Sequence, residues 1–242
     1  MLDLNRKAFL FWYIPILLLV TLLAIVSACI FNQLAKEASG EMTFKNRTCI
    51  VIDAGHGGVD GGATSCTGAL ESGINLDISI RLDDLLHLMG YETKMIRTAD
   101  LSVHTEGTTI AQKKISDLKE RVRIANSTPN ALLVSIHQNM FQDAKYSGAQ
   151  VFYASTPKSE TLAKALQSSL GAALLPGNKR QAKPSSGVYL MERIQCTGVL
   201  IECGFLSNPV EESLLRNTEY QKKLCAAIAA PLSVYLDRKN IN

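Results

Sequence analysis

The chain has 242 residues and is 47% hydrophobic, enough for one sizeable core plus appendages. Its 25 basic against 22 acidic side chains leave a formal charge of +3, too balanced for a nucleic-acid-binding surface. Six cysteines with no C-x-x-C pair indicate neither a thiolate zinc site nor a thioredoxin-like motif.

In chain order, residues 1–7 are short and carry Arg6 and Lys7, and residues 8–31 contain no charged side chain. That apolar block is long enough to cross a bilayer. Its positive flank predicts a cytoplasmic tail over residues 1–7, a membrane anchor over 8–31 and export of everything after it. A cleaved signal peptide ending near Ala28 competes with the anchor, as does a lipid-modified Cys29 after Val26-Ser27-Ala28; the apolar Ile30 and Phe31 speak against the latter. All three readings export the domain. Residues 32–47 read as a polar linker and residues 48–238 as the folded domain. The five cysteines beyond Cys29 are irregularly spaced and read as small buried side chains, with one disulfide left open by export.

Ile50-Val51-Ile52 predicts a strand buried on both faces, ending in Asp53, Gly55, His56 and the pair Gly57-Gly58. Residues 59–72 are rich in Gly, Ser and Thr and predict a loop carrying Glu71 near its end. A helical period follows through Ile74, Ile78, Leu82, Leu85 and Leu86, with Gly90 as its stop. A strand is expected over residues 91–97, a loop over 100–114 and a helix over 115–125. Residues 131–136 read as a buried strand ending in His137, and 148–154 as another strand. A helix over 157–175 leads to a basic loop over 178–186, a short edge strand over 187–191, and a last strand over 198–203 containing Glu202. Two helices, near 209–216 and 219–237, close the chain. Strands alternating with helices predict a single α/β domain with a mostly parallel, about six-stranded twisted sheet flanked by helices, preceded by the apolar segment.

Parallel strands deliver their carboxyl ends to one rim, where ligands collect. His56, Glu71, His137 and Glu202 can therefore converge although they are far apart in sequence. Two imidazoles and one carboxylate are the ligand set of a catalytic zinc that keeps a position open for water, and a remaining glutamate is what such a site needs as general base. The alternative for Glu202 is a buried, hydrogen-bonded structural carboxyl, since an unpaired one is costly. Asn139 can hydrogen-bond a substrate or a loop backbone. His87, near a helix end, and His104, in a loop, are expected to play no metal role; Arg97 and Arg121 are expected to tie loops together. Lys179, Arg180 and Lys183 read as a solvated loop.

The motifs IDAGHGGVDGG, Glu71 before a helix, SIHQN and IECGFLSNP, in that order, resemble the zinc-dependent N-acetylmuramoyl-L-alanine amidases over roughly residues 48–236. The segments EGTTIAQKKISDLKERVRIAN, SGAQVFY and SSGVYLMERIQCTGVLIECGFLSNP resemble the sporulation-associated members, which prepare cortex peptidoglycan for muramic δ-lactam formation. The resemblance implies one zinc ion per chain on His56, Glu71 and His137, with Glu202 catalytic. It also implies hydrolysis of the amide between the lactyl group of N-acetylmuramic acid and L-alanine of the stem peptide, in the space between forespore and mother cell. Expected partners are peptidoglycan, the membrane through the N-terminal helix, and an accessory protein; nucleic acid is not expected. Ala54 stands where many relatives carry Pro, and Cys203 where Val or Leu is commoner. Two other functions remain open at this point: a zinc carboxypeptidase acting within the stem peptide, and a non-catalytic wall-binding module.

Overall fold

The structure is a computed structural model and describes residues 16–33 and 48–241, with side chains to 237. The expected tail, the start of the apolar segment and most of the linker lie outside the described residues. Chain contacts divide the molecule at Arg47 into two units. In the first, α1 (Ile16–Gln33) is exposed along its whole length and is long and apolar enough to cross a membrane. Anchors and signal sequences share that property.

In the second unit, six strands form one sheet in the order β2-β1-β3-β6-β4-β5. Its centre is β1 (Cys49–Ala54), β3 (Ala131–Asn139) and β6 (Thr197–Phe205), mutually parallel, with β2 (Glu92–Met95) parallel on the β1 edge. On the other side β4 (Gln150–Tyr153) runs antiparallel to β6 and carries the two-residue β5 (Lys183–Pro184). Every residue of β1 is buried, because helices cover both faces of the sheet. The side-chain alternation sorts the core into two layers. Ile50, Ile52, Leu132, Val134, Ile136, Val199 and Ile201 face α2 (Glu71–Leu88), α4 (Ser159–Leu174) and the closing helix α7 (Thr218–Ile241). Val51, Leu133 and Leu200 face the opposite layer, formed with α3 (Ile110–Ser127) and α5 (Tyr189–Arg193). A short α6 (Pro209–Leu215) follows β6. The predicted mostly parallel α/β sheet is therefore present.

Several boundaries differ from expectation. Residues 187–191 form no strand; Tyr189–Arg193 is a short helix. The Glu192 carboxylate accepts from the Gly187 N–H at 2.7 Å and closes the turn. The adjacent Leu190 and Met191, with Ile194, then enter the layer around Leu133, whereas an alternating strand would send Leu190 and Met191 to opposite faces. Helix α3 starts at Ile110, inside the predicted loop, behind a Thr109–Gln112 capping box. Glu71 is the first residue of α2, not a loop residue, and Leu70 before it offers no capping side chain, so the helix start carries no sequence signal. Strand β3 runs two residues past His137. All six cysteines are free; Cys49, Cys203 and Cys225 are buried as expected, while Cys29 and Cys66 are exposed.

Candidate metal centre

His56 lies two residues beyond β1 in a turn that forces its backbone to a φ of 61°, a left-handed conformation rare outside glycine. Two buried guanidinium groups hold this turn by its carbonyls. Arg97 donates to the carbonyls of Ala54 (2.8 Å), Gly55 (3.0 Å) and Ser72 (2.8 Å). Arg121 donates to those of Ala54 (2.9 Å) and His56 (2.6 Å) and is neutralised by Asp53 and Asp117. The expectation that both arginines tie loops together is met, and the loop they tie is the one bearing His56.

Glu71, 3% exposed, reaches the rim from the first turn of α2. Its carboxylate accepts from the backbone N–H of Ala63 (2.9 Å) and Gln138 (3.0 Å) and from Asn75 Nδ2 (3.2 Å). Asn75, one helical turn on, also donates to the Gly55 carbonyl at 3.1 Å and so locks α2 to the turn after β1. Burial raises the Glu71 pKa, but the two imidazoles outweigh it and hold the carboxyl far below the usual range.

His56, Glu71 and His137 converge, with one donor atom from each lying within 4.8 Å of the others. His56 Nε2 is 3.2 Å from Glu71 Oε2, and His137 Nδ1 is 3.0 Å from Glu71 Oε1. Ligands of a tetrahedral ion with bonds near 2.0–2.1 Å sit about 3.3 Å apart, so the donor set fits a divalent zinc-sized ion. The two imidazole rings meet edge to face with centroids 4.9 Å apart. Burial lowers the His56 pKa, yet hydrogen bonds and charges from Glu71 and then Asp60 lift it to about 9.

Glu202 is the register partner of His137 across β3 and β6. Its Oε2 is buried with no hydrogen-bond partner among the described residues. Burial, reinforced by the Glu71 charge and opposed by His137 and His56, pushes its pKa up to about 7. A structural carboxyl would be expected to have its oxygens satisfied; this one is left open beside the donor cluster. Asn139 is half-buried at the end of β3, where its carbonyl accepts from Leu206 N at 2.8 Å. His87 bonds Thr93 and Asp83, and His104 bonds Ser102, away from the cluster. Arg180 departs from the expected solvated loop: its guanidinium lies 4.8 Å above the Phe205 ring and donates to the Ser147 carbonyl at 3.0 Å. Sequence reasoning did not single out Asp60, Asn75 or Gln138. For Asn75 the i, i+4 spacing from Glu71 on one helix was an available clue.

An open-edged α/β sheet thus brings two imidazoles and a buried carboxylate, the donor set for a metal ion, together with a second carboxyl at the carboxyl ends of its parallel strands. Residues 50–233 match the N-acetylmuramoyl-L-alanine amidase family, and the chain belongs to that family and is an enzyme of its class. It is 38% identical over 192 residues to the germination-specific N-acetylmuramoyl-L-alanine amidase of Bacillus subtilis, covering 78% of this chain and 80% of that one. Its fold is similar to that of the CwlD amidase of Clostridioides difficile, solved in complex with the GerS lipoprotein (TM-score 0.75, 39% identity, 79% of this chain and 99% of that one). A second N-acetylmuramoyl-L-alanine amidase, from Clostridium difficile 630, aligns with a TM-score of 0.68 at 29% identity, covering 79% and 98% of the two chains.

Proposed function

We propose that His56, Glu71 and His137 hold one zinc ion, and that Glu202 is the general base for hydrolysis of the amide between the lactyl group of N-acetylmuramic acid and L-alanine of the stem peptide. The observation that carries this reading is the pairing of a donor set spaced for one ion with the unpartnered Glu202 oxygen beside it. Zinc bound there would polarise the scissile carbonyl and acidify the attacking water. Glu202, deprotonated, takes the proton from that water and later passes it to the departing alanine amine. Its burial keeps its basicity near neutral pH. The Arg97 and Arg121 guanidiniums hold the turn that carries His56, and Asn139 is assigned to substrate.

The germination-specific relative supports placing this activity in spore cortex maturation, outside the cytoplasm of the cell that makes it. The apolar helix supports a membrane anchor over residues 8–31, with a tail over 1–7, a linker over 32–47 and the catalytic domain over 48–238. The relative solved with a lipoprotein supports an accessory partner. The test is mass spectrometry of peptidoglycan digested by the full-length, zinc-loaded chain in detergent. Stem peptides released with a free N-terminal alanine are expected. Cleavage within the stem peptide would reassign the enzyme as a carboxypeptidase, and no cleavage at all would overturn the proposed reaction.

A further inference from the structure

Beyond the three donors, one ion-paired chain reaches the site from a different helix. The Asp60 carboxylate splits its two oxygens: Oδ2 lies 2.9 Å from His56 Nδ1, and Oδ1 lies 2.8 Å from Lys114 Nζ on α3. The Oδ1 atom also accepts from the Gly62 N–H at 3.3 Å. Asp60 itself is pinned by a reciprocal backbone pair with Gly57. Lys114 belongs to a face of α3 that recurs at i, i+3 and i+7. Asp117 and Arg121 complete that face, and Arg121 grips the His56 carbonyl at 2.6 Å. One helix face thus reaches His56 twice, its backbone through Arg121 and its ring through Lys114 and Asp60.

We propose that Asp60, held by Lys114, is the positioning residue that sets the His56 ring for metal binding, so that the charged face of α3 belongs to the metal centre. The inference rests on the zinc reading above. An imidazole has two nitrogens, and its partner at one decides which proton it carries and which nitrogen is left to bind a metal. With Nδ1–H donating to Asp60, the lone pair is on Nε2, the atom that faces Glu71. Lys114 Nζ and the Gly62 N–H hold Oδ1, which leaves Oδ2 aimed at the His56 ring. Outer partners of this kind are worth about 10- to 100-fold in metal affinity.

The experiment is zinc affinity of the full-length chain in detergent, by competition with a chromophoric chelator, alongside the melting temperature of the metal-free protein. Wild type must bind one zinc and His137→Ala must lose it; otherwise the zinc reading fails, and this inference with it. With that established, Asp60→Ala is expected to weaken zinc at least about tenfold and Asp60→Asn, which keeps a neutral acceptor, to recover part of the loss. Lys114→Met is expected to weaken zinc by a smaller factor, and Lys114→Arg to restore it. In each variant any fall in the metal-free melting temperature, from the lost Asp60 support of protonated His56, is expected to be small and too small to account for the loss of zinc affinity. Unchanged affinity in Asp60→Ala overturns the proposal while leaving the zinc reading intact. So does an affinity loss that only follows a fall in the metal-free melting temperature, because Asp60 would then be a loop tie.

Discussion

His137 and Glu202 stand side by side as register partners on neighbouring parallel strands, one inside the donor cluster and the other with an oxygen that bonds to nothing among the described residues. Adjacent strands lie roughly 4.8 Å apart, so the pairing places a carboxyl next to the donor set without any loop to position it. Glu202→Gln keeps the shape and removes the basicity. It is expected to retain one zinc per chain and to lower the hydrolysis rate by about 10²- to 10⁴-fold. Zinc analysis combined with muropeptide turnover reads both halves. Near-normal turnover would remove Glu202 from the role of base.

The same carboxyl sets a pH dependence. Its pKa in the metal-free site is raised to about 7 by burial, and a base works only when deprotonated. Activity should therefore climb as pH rises and then level off. A bound dication stabilises the carboxylate, so the midpoint in the loaded enzyme is expected at or below 7. Kinetics across pH 5–9 on a soluble muropeptide check this. A rate that falls with rising pH over the lower half of that range would contradict it.

Metal binding should carry its own pH dependence. Without metal, His56 holds a proton up to about 9, because Glu71 and Asp60 outweigh its burial. Zinc needs the neutral ring, so it must displace that proton, and affinity should rise by about tenfold per pH unit below 9. Linkage gives the metal-free protein the opposite trend. A folded-state pKa above the ordinary 6.5 contributes stability that is complete below 6.5 and is lost as pH rises through about 9. Chelator competition at several pH values, with melting curves of the metal-free form, tests the two trends together. A pH-independent zinc affinity would refute the proton displacement.

The rim residues were legible in the sequence because local signals announced them. A β-branched run stopping at Gly-His-Gly-Gly, a buried strand reaching Ser-Ile-His, and a glutamate inside an apolar strand each mark a strand end. Parallel topology then implies convergence. What was not legible depends on distance along the chain. Lys114 meets Asp60 across 54 residues, and no spacing rule connects them. Glu71 was placed in a loop because Leu70 lacks a capping side chain, so the start of α2 was silent. The short helix α5 was read as a strand because the five residues from Gly187 to Met191 are too few to separate the two periods. Arg180 looked solvated since nothing local reveals the Phe205 ring beneath it.

Arg121 predicts a stability effect. It is 2% exposed and neutralises Asp53, which is 1% exposed. Burial raises the Asp53 pKa, but Arg121, His137 and Ser135 outweigh it and hold the group below the usual range. Arg121→Met leaves Asp53 as an uncompensated buried charge and is expected to destabilise the fold by about 3–5 kcal/mol. In wild type this contribution is complete above the ordinary 3.8 and is lost as pH falls through the lower folded-state value. The variant should therefore show a lowered melting temperature near neutral pH and a smaller further loss on acidification. Thermal unfolding of both proteins at pH 7 and pH 3 decides it, and equal melting temperatures at pH 7 would show that the ion pair adds no stability.

Gly55 tests the site from the packing side. A Cβ built there would overlap the His137 ring, so the absence of a side chain at this position is what lets the imidazole lie against the turn after β1. The backbone of Gly55 is itself fixed by three contacts: its N–H donates to the Ile136 carbonyl, and its own carbonyl accepts from Asn75 and Arg97. The turn cannot yield, and the ring must. Gly55→Ala is thus expected to push His137 away from Glu71, reduce zinc affinity by at least about tenfold and abolish most turnover. The fold should survive, because the ring is a side chain at the rim and not part of the apolar core. Zinc stoichiometry, muropeptide turnover and circular dichroism on the same sample separate these effects. Full zinc occupancy at wild-type affinity in Gly55→Ala would mean that the ring has a second position from which it can still reach the metal.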